Sequence, residues 1–416
     1  MTLSDRSHAD SRVRLPRRCR SGGLLAAGLL LAGLGLTGCA TTSDSGDATA
    51  PVQQTLPAGS FVAEWTAPLR MRGATPVSIE KLGDHIVVTD SANRAYSLTA
   101  GGGTLEFART IVDSDESLQK PVMIERQDAD DLIVFPSAAT LVRITTGGRA
   151  LEPVSLNFAV TGPAVAAEGR LFAGVAAVGA AGQVGAIDPL RPYGNITWRR
   201  VVFGSVLAQP VVFEGVLYVP TATVRGTDRG RVYAISIEKR ASVWKTAFDE
   251  KYFETFGGNT VGLVADEFGL YVASDDTQLY VIDRNSGALK WRYYAGTPLE
   301  ASPAVLSNTV YQPVAGRGLV ALAKIGDDVV REPTWVSSSA ESFVASDDDH
   351  IYALGTDGRL LGLDIETGAV KFASERSDFV EAFVNTEDGT IFAATRGGEI
   401  IRAKANLKPG GTGQKI

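Results

Sequence analysis

The side chains of this 416-residue sequence that could carry chemistry are two cysteines, three histidines and several short acidic runs. A thiol can act as a nucleophile or metal ligand, and an imidazole as a general base. His8 lies near the start of the chain, whereas His85 and His350 open the runs HIVV and HIYAL. They occupy the same offset in two look-alike segments, and equivalent positions of non-adjacent repeats cannot converge on one ion or substrate. Acidic runs stand at Asp275-Asp276, Asp347-Asp348-Asp349 and Glu387-Asp388-Gly389. None has the D-x-[DN]-x-[DN]-G spacing of a calcium loop, and hairpin turns favour Asp and Gly for backbone reasons. Gly33, Gly35 and Gly38 match a dinucleotide fingerprint by letter, but no strand precedes them and no helix follows. Nucleophile-elbow, zinc-protease and P-loop patterns are absent. No catalytic residue, cofactor-binding residue or metal ligand is assigned, no cofactor is expected, and the chain reads as a non-enzyme.

Cys39 has another use. Arg12, Arg14, Arg17, Arg18 and Arg20 precede an apolar run at 22–36, which ends in Leu36-Thr37-Gly38-Cys39. The run is too short for a mature membrane span and has the three-part form of an export signal. Small residues before a cysteine resemble the lipobox of bacterial lipoproteins. That resemblance implies removal of residues 1–38, acylation of Cys39 (palmitate among the acyl chains) and, with Ala40 rather than Asp following, lodging at the outer membrane. The remaining chain carries 34 basic against 45 acidic residues, a balance of −11. Such a surface repels phosphate, so nucleic acid is excluded as a partner, and an anionic leaflet would not attract it without the acyl chains. With Cys19 cut off and Cys39 acylated, no disulfide can form. Residues 39–60, rich in Ser, Thr, Ala, Asp and Gln, read as a flexible tether, and 406–416 as a disordered tail.

The elements come from a repeat of about 44 residues. GLYVASDDTQLYVIDRNSGALKWRY (269–293) and HIYALGTDGRLLGLDIETGAVKFAS (350–374) align without a gap. Asp283 matches Asp364, Gly287 matches Gly368, and Trp291 matches Phe372. The segment at 85–109 keeps the register with Gly103 and Phe107. Alternating apolar residues broken by Gly, Asp and Asn predict short strands joined by hairpins. The closing position recurs at Trp65, Phe107, Val154, Trp198, Trp244, Trp291, Trp335 and Phe372. Trp65 closes a unit it lacks, and 390–404 is a unit lacking its closing strand. Joining them predicts an all-β, eight-bladed β-propeller over 61–405, its ring closed by the N-terminal strand. One four-stranded sheet cannot hide both faces, whereas radial stacking hides each against a neighbour, with the recurrent aromatic as a wedge.

The runs Leu279-Tyr-Val-Ile-Asp283, Ser286-Gly287, Trp291 and Leu361-Gly-Leu-Asp364, Thr367-Gly368, Phe372 resemble the quinoprotein-type (PQQ-like) repeat family. Enzymes of that family hold a quinone with Ca²⁺, a catalytic Asp and often a vicinal cysteine pair. This chain has no such pair, and PQQ is not expected here. Lipoprotein signal, tether and ring together resemble the BamB family, non-enzymatic accessory lipoproteins of the outer-membrane barrel-assembly machine. A Leu-x-Leu-Arg loop contributes to partner binding in that family. Its nearest match is Leu156-Asn157-Phe158-Ala159, which makes Leu156 and Phe158 partner-contact candidates and replaces the Arg by Ala159. Longer loops at 173–182 and 221–230 are further expected binding surfaces. The expected function is a periplasm-facing scaffold lipoprotein whose protein partner sits in the envelope, with the barrel-assembly complex as the implied one. A ligand- or quinone-binding propeller and a surface lipoprotein with an unrelated partner are the alternatives.

Overall fold

Short β-branched and aromatic runs become strands here because each is half a hairpin that a Gly, Asp or Asn turn can close. The computed structural model describes residues 54–56, 59–176, 181–193, 195–223, 229–246, 249–408 and 411–416. Cys39, the 1–38 leader, the 33–38 glycine pattern and most of the tether lie outside the described residues. Among the described residues every regular element is a strand, and the strands form eight sheets. Blades 1 to 7 span 76–110, 122–155, 165–203, 211–242, 260–294, 304–337 and 340–373. Blade 8 takes three strands from 379–406 and its fourth from Ser60–Pro68. First strands of adjacent blades, such as Val122–Ile124 and Val165–Ala167, approach one another and so face the axis; fourth strands form the rim.

The closure is the expected one. Ser60–Pro68 pairs antiparallel with Glu399–Asn406, from Ser60↔Asn406 to Pro68↔Glu399, with a register shift between Ala63 and Trp65. The core lies between the blades. Tyr271, Val281 and Trp291 of blade 5 pack with Val310, Val320 and Leu322 of blade 6. At the closing seam Phe61, Tyr352, Phe379, Ile391 and Ile401 form one cluster.

The chain ends depart from the sequence reading. The 406–416 segment was expected to be disordered and the tether to run to Ser60. Instead Gly411–Lys415 adds to the rim side of Ser60–Pro68 (Val62↔Lys415, Ala63↔Gln414), and Gln54–Leu56 adds to Gly411–Lys415. An open sheet edge supplies hydrogen bonds that a polar, low-complexity segment can use without an apolar period. Ile416 then enters the seam, 3% exposed, with its amide donating to the Phe61 carbonyl at 3.2 Å. Its carbonyl accepts from the Glu375 amide at 3.0 Å.

The recurrent aromatics sit between blades. Phe107, Trp198, Trp244, Trp291 and Trp335 are buried, as is Val154, while Trp65 and Phe372 are half-buried. Indole N–H groups of Trp65, Trp244, Trp291 and Trp335 donate to the carbonyls of Ala100, Arg284, Lys324 and Ile365, at 3.0, 2.7, 2.9 and 3.0 Å. Each acceptor lies in the next blade's outermost turn. In blades 5 and 7 that turn is built by an Asp. Asp283 accepts from the Ser286 amide and hydroxyl, both at 2.8 Å, and Asp364 from the Thr367 amide and hydroxyl at 2.9 and 2.7 Å. The Thr367 hydroxyl, the Lys371 ammonium and the Thr367 amide hold the Asp364 carboxyl down at about 2.

Candidate partner-binding surface

The acidic runs are turn and tyrosine ligands. Asp347 accepts from the amides of Asp349 and His350, at 3.0 and 2.8 Å, and from the buried Tyr352 hydroxyl. Burial pushes its carboxyl up, but these hydrogen bonds and the nearby His350 outweigh that and leave it below the usual carboxylate range. Asp266 serves Tyr271 in the same way, at 3.0 Å and at the same five-residue offset. Asp276 holds the Tyr280 hydroxyl, and Asp275 holds the Asn259 side-chain amide at 2.7 Å. Asp90 binds the Tyr96 hydroxyl at 3.0 Å; burial first and this carboxylate second push that phenol up to about 12. Asp388 is bound by Asn385 at 2.6 Å, and Glu387 by Lys81 at 3.0 Å. An inward Tyr that needs an acceptor explains Asp90, Asp266, Asp276 and Asp347.

His85 and His350 lie in blades 1 and 7, with blade 8 between them. The Nδ1 of His85 is 2.6 Å from Glu106 Oε2, which also accepts from the Ser97 hydroxyl at 2.9 Å. The Nδ1 of His350 is 3.5 Å from Asp347 Oδ1. The His85 imidazole ties two strands of blade 1, whereas the His350 Nδ1 is buried without a hydrogen-bond partner. Among the described residues no three His, Cys, Asp or Glu side chains are grouped closely enough to hold a metal ion.

Inner strands of blades 7 and 8 border a cavity of about 690 Å³ whose lining includes Glu300, Glu341 and Glu381. Burial, then the charges of Glu80 and Glu341, push the Glu381 carboxyl up, against the pull of Lys120. Lys120 itself pairs with Glu80 at 2.7 Å.

Leu156 and Phe158 both meet the core cluster between blades 2 and 3. Leu156 is buried there, 8% exposed, and Phe158 is half-buried against it. Alternation along 154–160 points both side chains inward, and of the pair the half-buried Phe158 keeps more open surface. The tips of the two long loops, 177–180 and 224–228, lie outside the described residues. Apolar exposure that sequence patterning missed lies at Val201, Phe203 and Leu207 in blade 3 and just after it. The signal for it was VVF in consecutive positions of a strand expected to alternate.

A family model described as outer membrane protein assembly factor BamB matches residues 228–375. Curated relatives bear the same description. The protein from Moranella endobia is 24% identical over 51% of this chain and 44% of its own length. The one from Shewanella oneidensis is 21% identical over 52% and 44%, and the one from Alkalilimnicola ehrlichii 28% over 41% and 41%. The chain thus spans less than half the length of the curated relatives it matches. Among solved structures, BamB from Moraxella catarrhalis superposes with a TM-score of 0.60 at 15% identity, over 84% of this chain and 98% of that one. A quinohemoprotein alcohol dehydrogenase from Pseudomonas putida gives 0.57 at 11% identity, over 86% and 78%. These structural likenesses establish the fold and leave function open.

Proposed function

We propose that this chain, a PQQ-like β-propeller that resembles BamB, is a non-enzymatic scaffold lipoprotein that serves outer-membrane protein assembly from the periplasmic side of the outer membrane. The observation that carries the reading is that the family model and the curated relatives agree on one description, outer membrane protein assembly factor BamB. On this reading Cys39 bears the acyl chains, residues between it and the ring act as the tether, and the rim and blade turns meet the partner. Phe158 is the proposed contact of the sequence-derived pair, with Leu156 supporting it from inside the core.

The test is quantitative mass spectrometry of a tagged chain captured at native expression after mild crosslinking. Barrel-assembly subunits should dominate the capture, and depletion of the chain should lower outer-membrane barrel levels. An unrelated envelope protein as main capture would favour the surface-lipoprotein alternative. The N-terminal peptide should carry acyl mass at Cys39.

The second reading, a quinone- or ligand-binding propeller, draws on the likeness to the dehydrogenase and on the Glu-lined cavity. A chromophore in the absorbance spectrum of the purified protein, or a Ca²⁺-dependent oxidation, would favour it over the scaffold.

A further inference from the structure

Among the described residues, blade 3 carries the longest fourth strand of the ring that has no strand outside it. Ile196–Phe203 has eight residues and pairs only inward, from Ala181↔Phe203 to Ile187↔Ile196. Its flanks are cut back: the fourth strands of blades 2 and 4 are Val154–Ser155 and Ala241–Ser242, two residues each. An open row of N–H and C=O groups is a template for another chain, and proteins blunt it with Pro, Lys or a covering segment. The ring does so elsewhere. Val330–Arg331 runs parallel along blade 5, Gly411–Lys415 and Gln54–Leu56 cover blade 8, and the blade 6 strand opens on Pro333.

Among the described residues nothing comparable protects blade 3. Alternate residues Arg199, Val201 and Phe203 share one face, which is open: Val201 is 57% and Phe203 54% exposed, and Leu207 beyond them 54%. The other face is occupied. Trp198 and Val202 are buried against blade 4, and Arg200 binds Glu250 and the Arg240 carbonyl. Among the described residues the Arg199 guanidinium has no hydrogen-bond or ion-pair partner. Arg231, 5.2 Å from the Phe203 ring and 4.2 Å from that of Tyr252, supports Phe203 from behind. The Phe203 amide donates to the Tyr233 hydroxyl at 3.0 Å, which marks where the free row ends.

We propose that the outer edge of blade 3 receives an extended segment of a partner protein as a fifth strand, with an acidic side chain beside Arg199 and apolar ones beside Val201 and Phe203. The occupant is a strand because strands are what cover the edges of blades 5 and 8 in this same ring. Its charge follows from the unpaired Arg199, and its apolar alternation from the exposed pair two residues apart. Main-chain hydrogen bonds supply affinity in such an addition, and alternate side chains supply specificity. The inference rests on the scaffold reading and names the surface that reading needs.

The test uses the purified full chain in detergent and an eight-residue synthetic peptide with one glutamate and two valines at alternate positions, threonines between. A second peptide is N-methylated at alternate amides, and a third replaces the glutamate by lysine. Amide hydrogen exchange across 196–203 should slow at least tenfold with the first peptide. The N-methylated peptide should bind at least tenfold more weakly. Arg199→Glu, at an exposed position that leaves the core intact, should reverse the preference between glutamate and lysine peptides. No slowing in 196–203 at millimolar peptide, equal binding of the N-methylated peptide, or edge-to-edge self-association of the protein in sedimentation would each overturn the proposal. Any of them would leave the scaffold reading to its own capture experiment.

Discussion

The indole of Trp335 lies directly on the backbone of Gly368 in the next blade: a methyl group at Gly368 would come within 2.4 Å of the ring. The same contact joins Trp244 to Gly287 at 2.8 Å and Trp65 to Gly103 at 2.6 Å, and all three glycines have φ between +66° and +69°. Each turn must be left-handed to place its carbonyl under the indole N–H, and it must lack a Cβ for the ring to approach. One residue therefore serves both the turn and the packing between blades. Where blade 4 departs from this, Arg240 takes the left-handed position at φ +53°, and the Trp198 N–H behind it is buried without a partner.

Gly368→Ala should cost about 3 kcal/mol, since left-handed strain of roughly 1–3 kcal/mol adds to the collision with Trp335. Gly296→Ala, at φ +85° with nothing within 4 Å, should cost about 1 kcal/mol from backbone strain alone. Urea denaturation of both variants separates the two terms, and equal losses would refute the dual role.

Trp244→Phe removes the 2.7 Å hydrogen bond to the Arg284 carbonyl and leaves that acceptor only the Tyr218 hydroxyl at 3.3 Å, whereas Trp198→Phe removes a donor that has no partner. The first substitution should be the more destabilising by about 1–2 kcal/mol. Midpoints measured side by side decide it, and a larger loss at Trp198 would contradict the hydrogen-bond account.

Ile416→Ser should cost about 1.5–3 kcal/mol, the transfer term for a buried aliphatic side chain. It should also expose Phe61 and free the Gly411–Lys415 strand, visible as early proteolytic cleavage near that end. Unchanged stability and an unchanged digest would mean that the clip contributes nothing in solution.

Glu381→Gln should raise the melting temperature at pH 8 and leave it unchanged near pH 3. The folded chain disfavours the charged carboxylate, so its folded pKa lies above the unfolded value of about 4.3. The penalty is absent below both values, grows as pH rises past the unfolded one and is complete above the folded one. Melting curves across that range test the sign, and a stabilisation confined to acid would reverse it.

Much of this architecture is readable without coordinates. Short unbroken apolar runs such as LYVI and the D-x-x-[ST]-G turns at Asp283 and Asp364 specify strands and their outermost hairpins, because both depend on residues a few positions apart. Trp65 standing without its unit, and 390–404 without its closing strand, gave the ring closure, which is topological and follows from counting. Spacing alone gives the acidic runs and histidines no catalytic reading. Partners such as the Tyr280 and Tyr352 hydroxyls and the Glu106 carboxylate could not be named, since each depends on which face of the sheet a side chain takes once the strands have paired.

What the amino acids determined by themselves was the repeat, its strand content, the eight-fold count and the wedge positions, all set by local turn chemistry and the spacing of short apolar runs. Three things waited for the tertiary structure. The polar tail at Gly411–Lys415 is ordered because a neighbouring edge offers it hydrogen bonds. Leu156 is buried because blade 3 packs over it. Val201 and Phe203 are exposed because the rim strands of blades 2 and 4 stop two residues after they begin. Edge pairing and relative strand length are relations between segments far apart in the chain, and no window of sequence contains both members of such a pair.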